Sequence, residues 1–131
     1  MLRTFIRSRI RSFKHAFAGV WYVIRTQKNA WIHLTIMIIV IILAAWLRVS
    51  RFDWAVLVFT IGMVWLAEFL NTSIEAIVDL VSPQRHPLAK VSKDVGAAAV
   101  LISAATAVIV GLLLLGPPLW ARMQALLLPK R

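Results

Sequence analysis

Polar and apolar positions are distributed along this chain in long blocks rather than at the close spacing of a soluble core. Trp31 to Leu47 contains only His33 and Thr35 as polar residues, and as a helix it crosses about 30 Å of hydrocarbon once its flanks add a few residues. A short polar break follows (Arg48, Ser50, Arg51, Asp53), after which Trp54 to Val81 reads as one long helix whose last third is unusually polar. A third apolar run extends from Val95 to Leu115 and meets Gly116, Pro117 and Pro118, where a helix is expected to stop. Ahead of the first run, Leu2, Phe5, Ile6, Ile10, Phe13, Phe17, Val20, Trp21 and Ile24 recur every three or four residues, with Arg3, Arg7, Arg11 and Lys14 beside them on a helical wheel. That pattern predicts an interfacial amphipathic helix over residues 1–28. It lacks the apolar core of a cleaved signal peptide.

The expected fold is therefore an all-α integral membrane protein: an N-terminal surface helix followed by transmembrane helices at 31–47, 54–81 and 95–115. The loops between the runs are too short for a second domain, and there is no internal repeat, so residues 1–131 read as a single membrane domain.

Composition sharpens this picture. Of 131 residues 61% are hydrophobic and the mean hydropathy is +0.84, against roughly 45–50% apolar residues in soluble domains. Fifteen Lys and Arg face five Asp and Glu, a net charge of +10 that would suit nucleic acid or an anionic membrane surface. The apolar runs favour the membrane, and no nucleic-acid partner is expected. The absence of cysteine excludes disulfide scaffolds, thiolate metal sites and cysteine nucleophiles.

Charge also orients the chain. Seven basic residues precede the first span (Arg3, Arg7, Arg9, Arg11, Lys14, Arg25, Lys28) and three lie between the second and third (Arg85, Lys90, Lys93). Two (Arg48, Arg51) occupy the first loop and three (Arg122, Lys130, Arg131) the C-terminus. By the positive-inside bias the N-terminus is cytoplasmic and the C-terminus outside, which brings the polar end of the second span and the segment Ser82 to Asp94 to the cytoplasmic face.

Chemistry concentrates there. Four of the five acidic residues lie between Glu68 and Asp94, and Glu68, Asn71, Glu75 and Asp79, spaced 3, 4 and 4 apart, form one narrow stripe of a helix. A carboxylate at membrane depth costs at least about 2.5–3.5 kcal/mol, so such a stripe persists only where it faces protein, water or a bound ion. The purely structural alternative has the stripe packing against cations, or Asn71 and Thr72 bridging helices. Glu68 and Glu75 have no cation at helical spacing to pair with. The following segment supplies Arg85, His86, Lys90 and Lys93, cations able to neutralise phosphate oxygens beside carboxylates able to hold a divalent metal, the combination phosphoryl transfer requires. The same cations also satisfy the positive-inside bias, and Lys93 is long enough to snorkel. Neither GxxxxGK[ST] nor GxGxxG occurs, and His15 and His33, without neighbouring ligand types, are read as structural. The residues alone support a pocket of mixed charge on the inner membrane face.

The stretch Glu68-Phe69-Leu70-Asn71-Thr72-Ser73-Ile74-Glu75-Ala76-Ile77-Val78-Asp79, followed by His86-Pro87-Leu88-Ala89-Lys90 and Lys93-Asp94-Val95-Gly96-Ala97-Ala98-Ala99-Val100-Leu101, resembles the bacterial diacylglycerol kinase family. The likeness covers nearly the whole chain, including Phe17 and Gly19 of the surface helix, and the Val-Asp-Leu-Val-Ser-Pro and His-Pro-Leu-Ala-Lys stretches look more like the undecaprenol kinase branch. It implies a homotrimeric lipid kinase that moves the γ-phosphate of Mg²⁺-bound ATP to the primary hydroxyl of a lipid in the bacterial inner membrane, with undecaprenol as substrate or, alternatively, diacylglycerol. By this resemblance Glu68 is the general base, Glu75 a ligand of the ATP-bound Mg²⁺, and Asn71 and Asp79 supports. Gln84, Arg85 and His86 stand where the family's loop touches the nucleotide, and Lys93 and Asp94 match its ATP-binding pair. Two positions depart from the pattern: Gln27 and Gln84 stand where the family usually has glutamates, the first of them metal-binding. From a different class, the chain would be a non-catalytic trimeric membrane protein that binds anionic lipid.

Overall fold

The computed structural model describes residues 2–84 and 86–127, the side chains of Leu2 and Thr4 excepted; Arg85, Lys130 and Arg131 lie outside the described residues. Those residues form four α-helices: α1 (Leu2–Thr26), α2 (Lys28–Leu47), α3 (Arg51–Val81) and α4 (Pro87–Leu127). The last three are long and apolar enough to cross a membrane.

Each break between helices has a local cause. Gln27 alone is extended (φ −97°, ψ 117°), which separates α1 from α2, and its N–H still donates to the carbonyl of Val23 at 2.9 Å. Arg48 ends α2 in the left-handed conformation (φ 54°, ψ 46°), its N–H turned back to the carbonyls of Ala44 and Ala45, a C-terminal device that satisfies orphan carbonyls. Two residues later Ser50 starts α3 with a capping box: its Oγ accepts from the Asp53 N–H at 3.2 Å while the Asp53 carboxylate accepts from the Ser50 N–H at 3.0 Å. A turn this short forces α2 and α3 to run antiparallel.

Two expectations are corrected here. Most of the segment from Ser82 to Asp94, read as a loop, is helix, because α4 already begins at Pro87; proline suits a first helical position, where its missing N–H has no intrahelical partner. His86 completes this start: its carbonyl accepts from the Lys90 N–H and its Nδ1 from the Leu88 N–H at 3.2 Å. Nor does α4 stop at Gly116. It runs through Pro117 and Pro118 to Leu127, and two adjacent prolines fit because each already has the helical φ and the pair interrupts the ladder over a single stretch.

Packing is closest between α3 and α4. At the α2–α3 turn the core is Ala44, Leu57 and Leu115, with Leu43, Leu47, Trp54 and Leu114 against them. At the opposite end of α3 the buried residues are Glu68, Asn71 and Thr72, and Gly96 of α4 lies against Asn71, where a Cβ would collide with the Asn71 amide oxygen. Most remaining large apolar side chains are exposed, from Ile32 and Ile42 on α2 to Leu112 and Leu113 on α4. The α1 residues Phe5, Ile10, Phe13, Phe17 and Trp21 are exposed as well, while Val23 is buried.

Candidate active site

The acidic stripe of α3 is buried at one end and solvated at the other. Glu68 is 1% exposed, and Asn71 is buried beside it. Thr72 spends its hydroxyl on the Glu68 carbonyl at 2.9 Å, so it leaves the Glu68 carboxylate untouched. Glu75, one turn beyond Asn71, has both carboxylate oxygens engaged: Oε1 accepts from Asn71 Nδ2 at 3.2 Å and Oε2 from Gln27 Nε2 at 3.3 Å. Gln27, at the α1–α2 joint, thus faces Glu75 of α3, as the family's metal-binding glutamates at these positions imply. The extended backbone of Gln27 is what aims its side chain at α3.

Asp79 is exposed and forms an ion pair with Lys93 of α4, Nζ to Oδ1 2.5 Å. Lys93 therefore does more than snorkel. Asp94 pairs with Lys90 instead, one helical turn away at 2.8 Å, and this hydrogen bond raises the Lys90 pKa above its ordinary value. A cleft of about 640 Å³ lies between the end of α3 and the start of α4, lined among others by Asp79, Ser82, Gln84, His86, Lys93 and Asp94. Its cations and exposed backbone suit a phosphate-bearing ligand entering from water. The expected site residues therefore fall into two groups: Gln27, Glu68, Asn71 and Glu75 within the bundle, and Asp79, Gln84, His86, Lys93 and Asp94 around the cleft. Arg85 lies outside the described residues.

One polar residue has a neighbour that its place in the sequence does not show. His33 has no ligand type near it in sequence, yet α2 brings its Nε2 to 3.8 Å from Oε2 of Glu68. His33 Nε2, Glu68 Oε2 and Asn71 Oδ1 are buried without a hydrogen-bond partner. The available signal was the face: His33, Ile36, Met37 and Val40, three and four apart, line one apolar cavity between α2, α3 and α4. Gly96 was also missed, although the run Gly96-Ala97-Ala98-Ala99 marks a stretch where α4 is thin enough for close approach.

Whether Mg²⁺ fits is decided by the donors around Glu75. Among the described residues no three His, Asp or Glu side chains converge. One carboxylate flanked by two amides is a sparse set, but either amide can turn its oxygen inward, and Mg²⁺ commonly binds one or two carboxylates and completes its shell with water and substrate phosphates. The residues fit a metal carried in on a nucleotide.

Fold and site together define a helical membrane protein with three helices able to span, and an acidic stripe, buried at its Glu68 end, beside a cationic cleft. The model of the prokaryotic diacylglycerol kinase family matches residues 14–115, and the chain belongs to that family of lipid kinases. The diacylglycerol kinase of Synechocystis is 46% identical over 113 residues, 86% of this chain and 65% of that protein. The undecaprenol kinase of Bacillus subtilis is 38% identical over 109 residues, 83% of this chain and 89% of that protein. The diacylglycerol kinase of Escherichia coli K12 is 37% identical over 79 residues, 60% of this chain and 65% of that protein. The chain thus spans just under two thirds of the length of the Synechocystis and Escherichia coli relatives.

Proposed function

We propose that the chain is an ATP-dependent lipid kinase of the bacterial inner membrane, working as a homotrimer and phosphorylating the primary hydroxyl of undecaprenol. The observation that carries this reading is the Glu68 carboxylate, buried in a membrane span with one oxygen unpartnered and two turns from a second carboxylate held ready at Glu75. A buried ionisable group at that depth is retained for function.

In this mechanism Glu68 accepts the proton of the lipid hydroxyl as its oxygen bonds to the γ-phosphorus; the bond to the bridging oxygen breaks and ADP leaves. Glu75, with Gln27, would hold a Mg²⁺ ion, which would supply charge neutralisation to the ATP phosphates, and Asn71 orients Glu75. Lys93 and Asp94, with Gln84 and His86, hold the nucleotide at the cleft, Asp79 fixes Lys93, and the family resemblance adds Arg85 as a further nucleotide contact. The basic residues of α1 and of the sequence from Arg85 to Lys93 favour a cytoplasmic N-terminus and cleft, so ATP arrives from the cytoplasm. The apolar stripe of α1, from Phe5 to Trp21, suits a helix resting on the inner leaflet. A trimer would cover part of the apolar surface that one chain leaves exposed and the lipid the rest.

A second substrate is supported by a specific observation: the Synechocystis relative, 46% identical, is a diacylglycerol kinase. The deciding experiment supplies ATP and Mg²⁺ to the detergent-solubilised chain with each lipid in turn. Undecaprenyl phosphate as the faster product supports the first reading and phosphatidic acid the second. No phosphorylated product with either would leave a non-catalytic membrane protein.

A further inference from the structure

Two of the three buried polar atoms without a hydrogen-bond partner among the described residues lie close together. Glu68 Oε2 and His33 Nε2 are both buried, both free of hydrogen bonds, and 3.8 Å apart. That separation is too long for a hydrogen bond between them, and leaving two such groups unsatisfied inside a bundle is costly. The threonines of these spans are satisfied locally, Thr35 donating to the Trp31 carbonyl and Thr60 to that of Val56. His33 is therefore not explained as a routine polar residue in a membrane helix.

Its surroundings indicate what the pair awaits. His33 lines an apolar cavity of about 430 Å³ together with Ile36, Met37, Val64 and Trp65 on the same side, so an apolar chain lying in this cavity would bring its polar end to the gap. One side of the gap is a carboxylate oxygen, an acceptor. The other is an imidazole nitrogen, which donates when it carries the proton. An alcohol is complementary to both at once, since its O–H donates to one and its oxygen accepts from the other.

We infer that the gap between Glu68 Oε2 and His33 Nε2 is the seat of the acceptor hydroxyl, and that His33 orients it for attack. This rests on the reading of Glu68 as base, and adds a donor that neither the acidic stripe nor the cleft supplies. During transfer the hydroxyl proton passes to Glu68 Oε2, the oxygen forms its bond to the γ-phosphorus, and the Nε2–H of His33 keeps its own proton. The imidazole holds a lone pair in place without taking part in proton exchange, so its loss affects the lipid and not ATP.

The test compares His33→Gln, whose amide N–H reaches about as far as Nε2, with His33→Asn, which is too short. Both are polar and of similar burden to the fold, so the contrast reads reach. In full-length protein in detergent, His33→Asn should lower kcat/KM for the lipid by about 10²-fold, the loss typical of a misplaced reactant, with KM for ATP unchanged within twofold. His33→Gln should stay within tenfold of the parent. A second measurement needs no turnover: in the Glu68→Gln background, a long-chain primary alcohol should compete for binding better than the alkane of the same chain length, and adding His33→Asn should abolish that preference. Equal activity of the two His33 variants, or a preference that survives His33→Asn, would overturn the seat. Normal turnover of Glu68→Gln alone would instead remove Glu68 from the base role, while the binding preference would still report on the gap.

Discussion

The two ends of the α2–α3 pair are built on opposite terms. At the turn, Arg48 satisfies the end of α2, Ser50 and Asp53 cap α3 reciprocally, and Ala44, Leu57 and Leu115 close the apolar core. At the far end, Glu68, Asn71 and His33 keep buried polar atoms without partners, and Gly96 is held close to Asn71. The first end is locally complete. The second leaves those atoms unmet within the chain, as a preorganised site would and a structural joint would not.

Substitutions at the two ends should therefore fail differently. The largest effect is expected from Glu68→Gln, which keeps the shape but cannot take a proton: transfer should fall by about 10²–10⁴-fold with assembly unchanged, as read by lipid phosphorylation beside size-exclusion chromatography. Near-normal turnover would mean that the buried end is merely packed. Next comes Gly96→Val, which drives a side chain into the Asn71 amide; overpacking of about 1–3 kcal/mol should lower the melting temperature and the rate together. A stable and active variant would show that α4 can retreat without cost, and that the close approach is incidental. A smaller change is expected from Gln27→Glu, which returns a second carboxylate to the Glu75 side and should lower the Mg²⁺ concentration for half-maximal rate by severalfold. An unchanged or higher requirement in a Mg²⁺ titration separates Gln27 from the metal. Least for activity is Ser50→Ala at the complete end: loss of the capping box should cost about 1 kcal/mol of stability and leave kcat and both KM values where they were.

Legibility in the sequence follows the same division. Features set within a few residues were readable: the apolar runs, the polar break that contains Ser50 and Asp53, and the stripe Glu68, Asn71, Glu75, Asp79, whose spacing alone puts it on one face. Gln27, which stands where the family usually has a metal-binding glutamate, donates to Glu75 at 3.3 Å. Features that depend on which helix face meets which were not readable. Nothing near His33 in sequence foretells a carboxylate, because its partner is on another helix. Nor was it readable that Lys93 and Asp94, neighbours in sequence, have separate partners: helical geometry gives Asp94 to Lys90, one turn back, and Lys93 reaches Asp79 across the bundle. The end of α4 was misjudged because Gly-Pro-Pro stops helices in water, where freed carbonyls find solvent and the chain gains by turning away. In an apolar setting continuing the helix leaves fewer groups unmet.

The unequal lengths of the spans bear on the bilayer that can hold them. At about 1.5 Å per residue, the 20 residues of α2 make a rod about 30 Å long, a match to an ordinary hydrocarbon core, whereas the 41 residues of α4 make one about twice as long. Near the shared end the Arg122 guanidinium lies over the Trp46 ring at 5.4 Å, a cation and an aromatic of the kinds that settle at headgroup level. That pair acts as a waterline for α4, leaving the turns beyond Arg122 to stand in or above the headgroups. A thicker membrane would have to thin around α2, while α4 could tilt or sink. The shortest helix, which carries His33, thus sets the depth of the whole bundle, and hydrophobic mismatch would act first on the helix that faces Glu68.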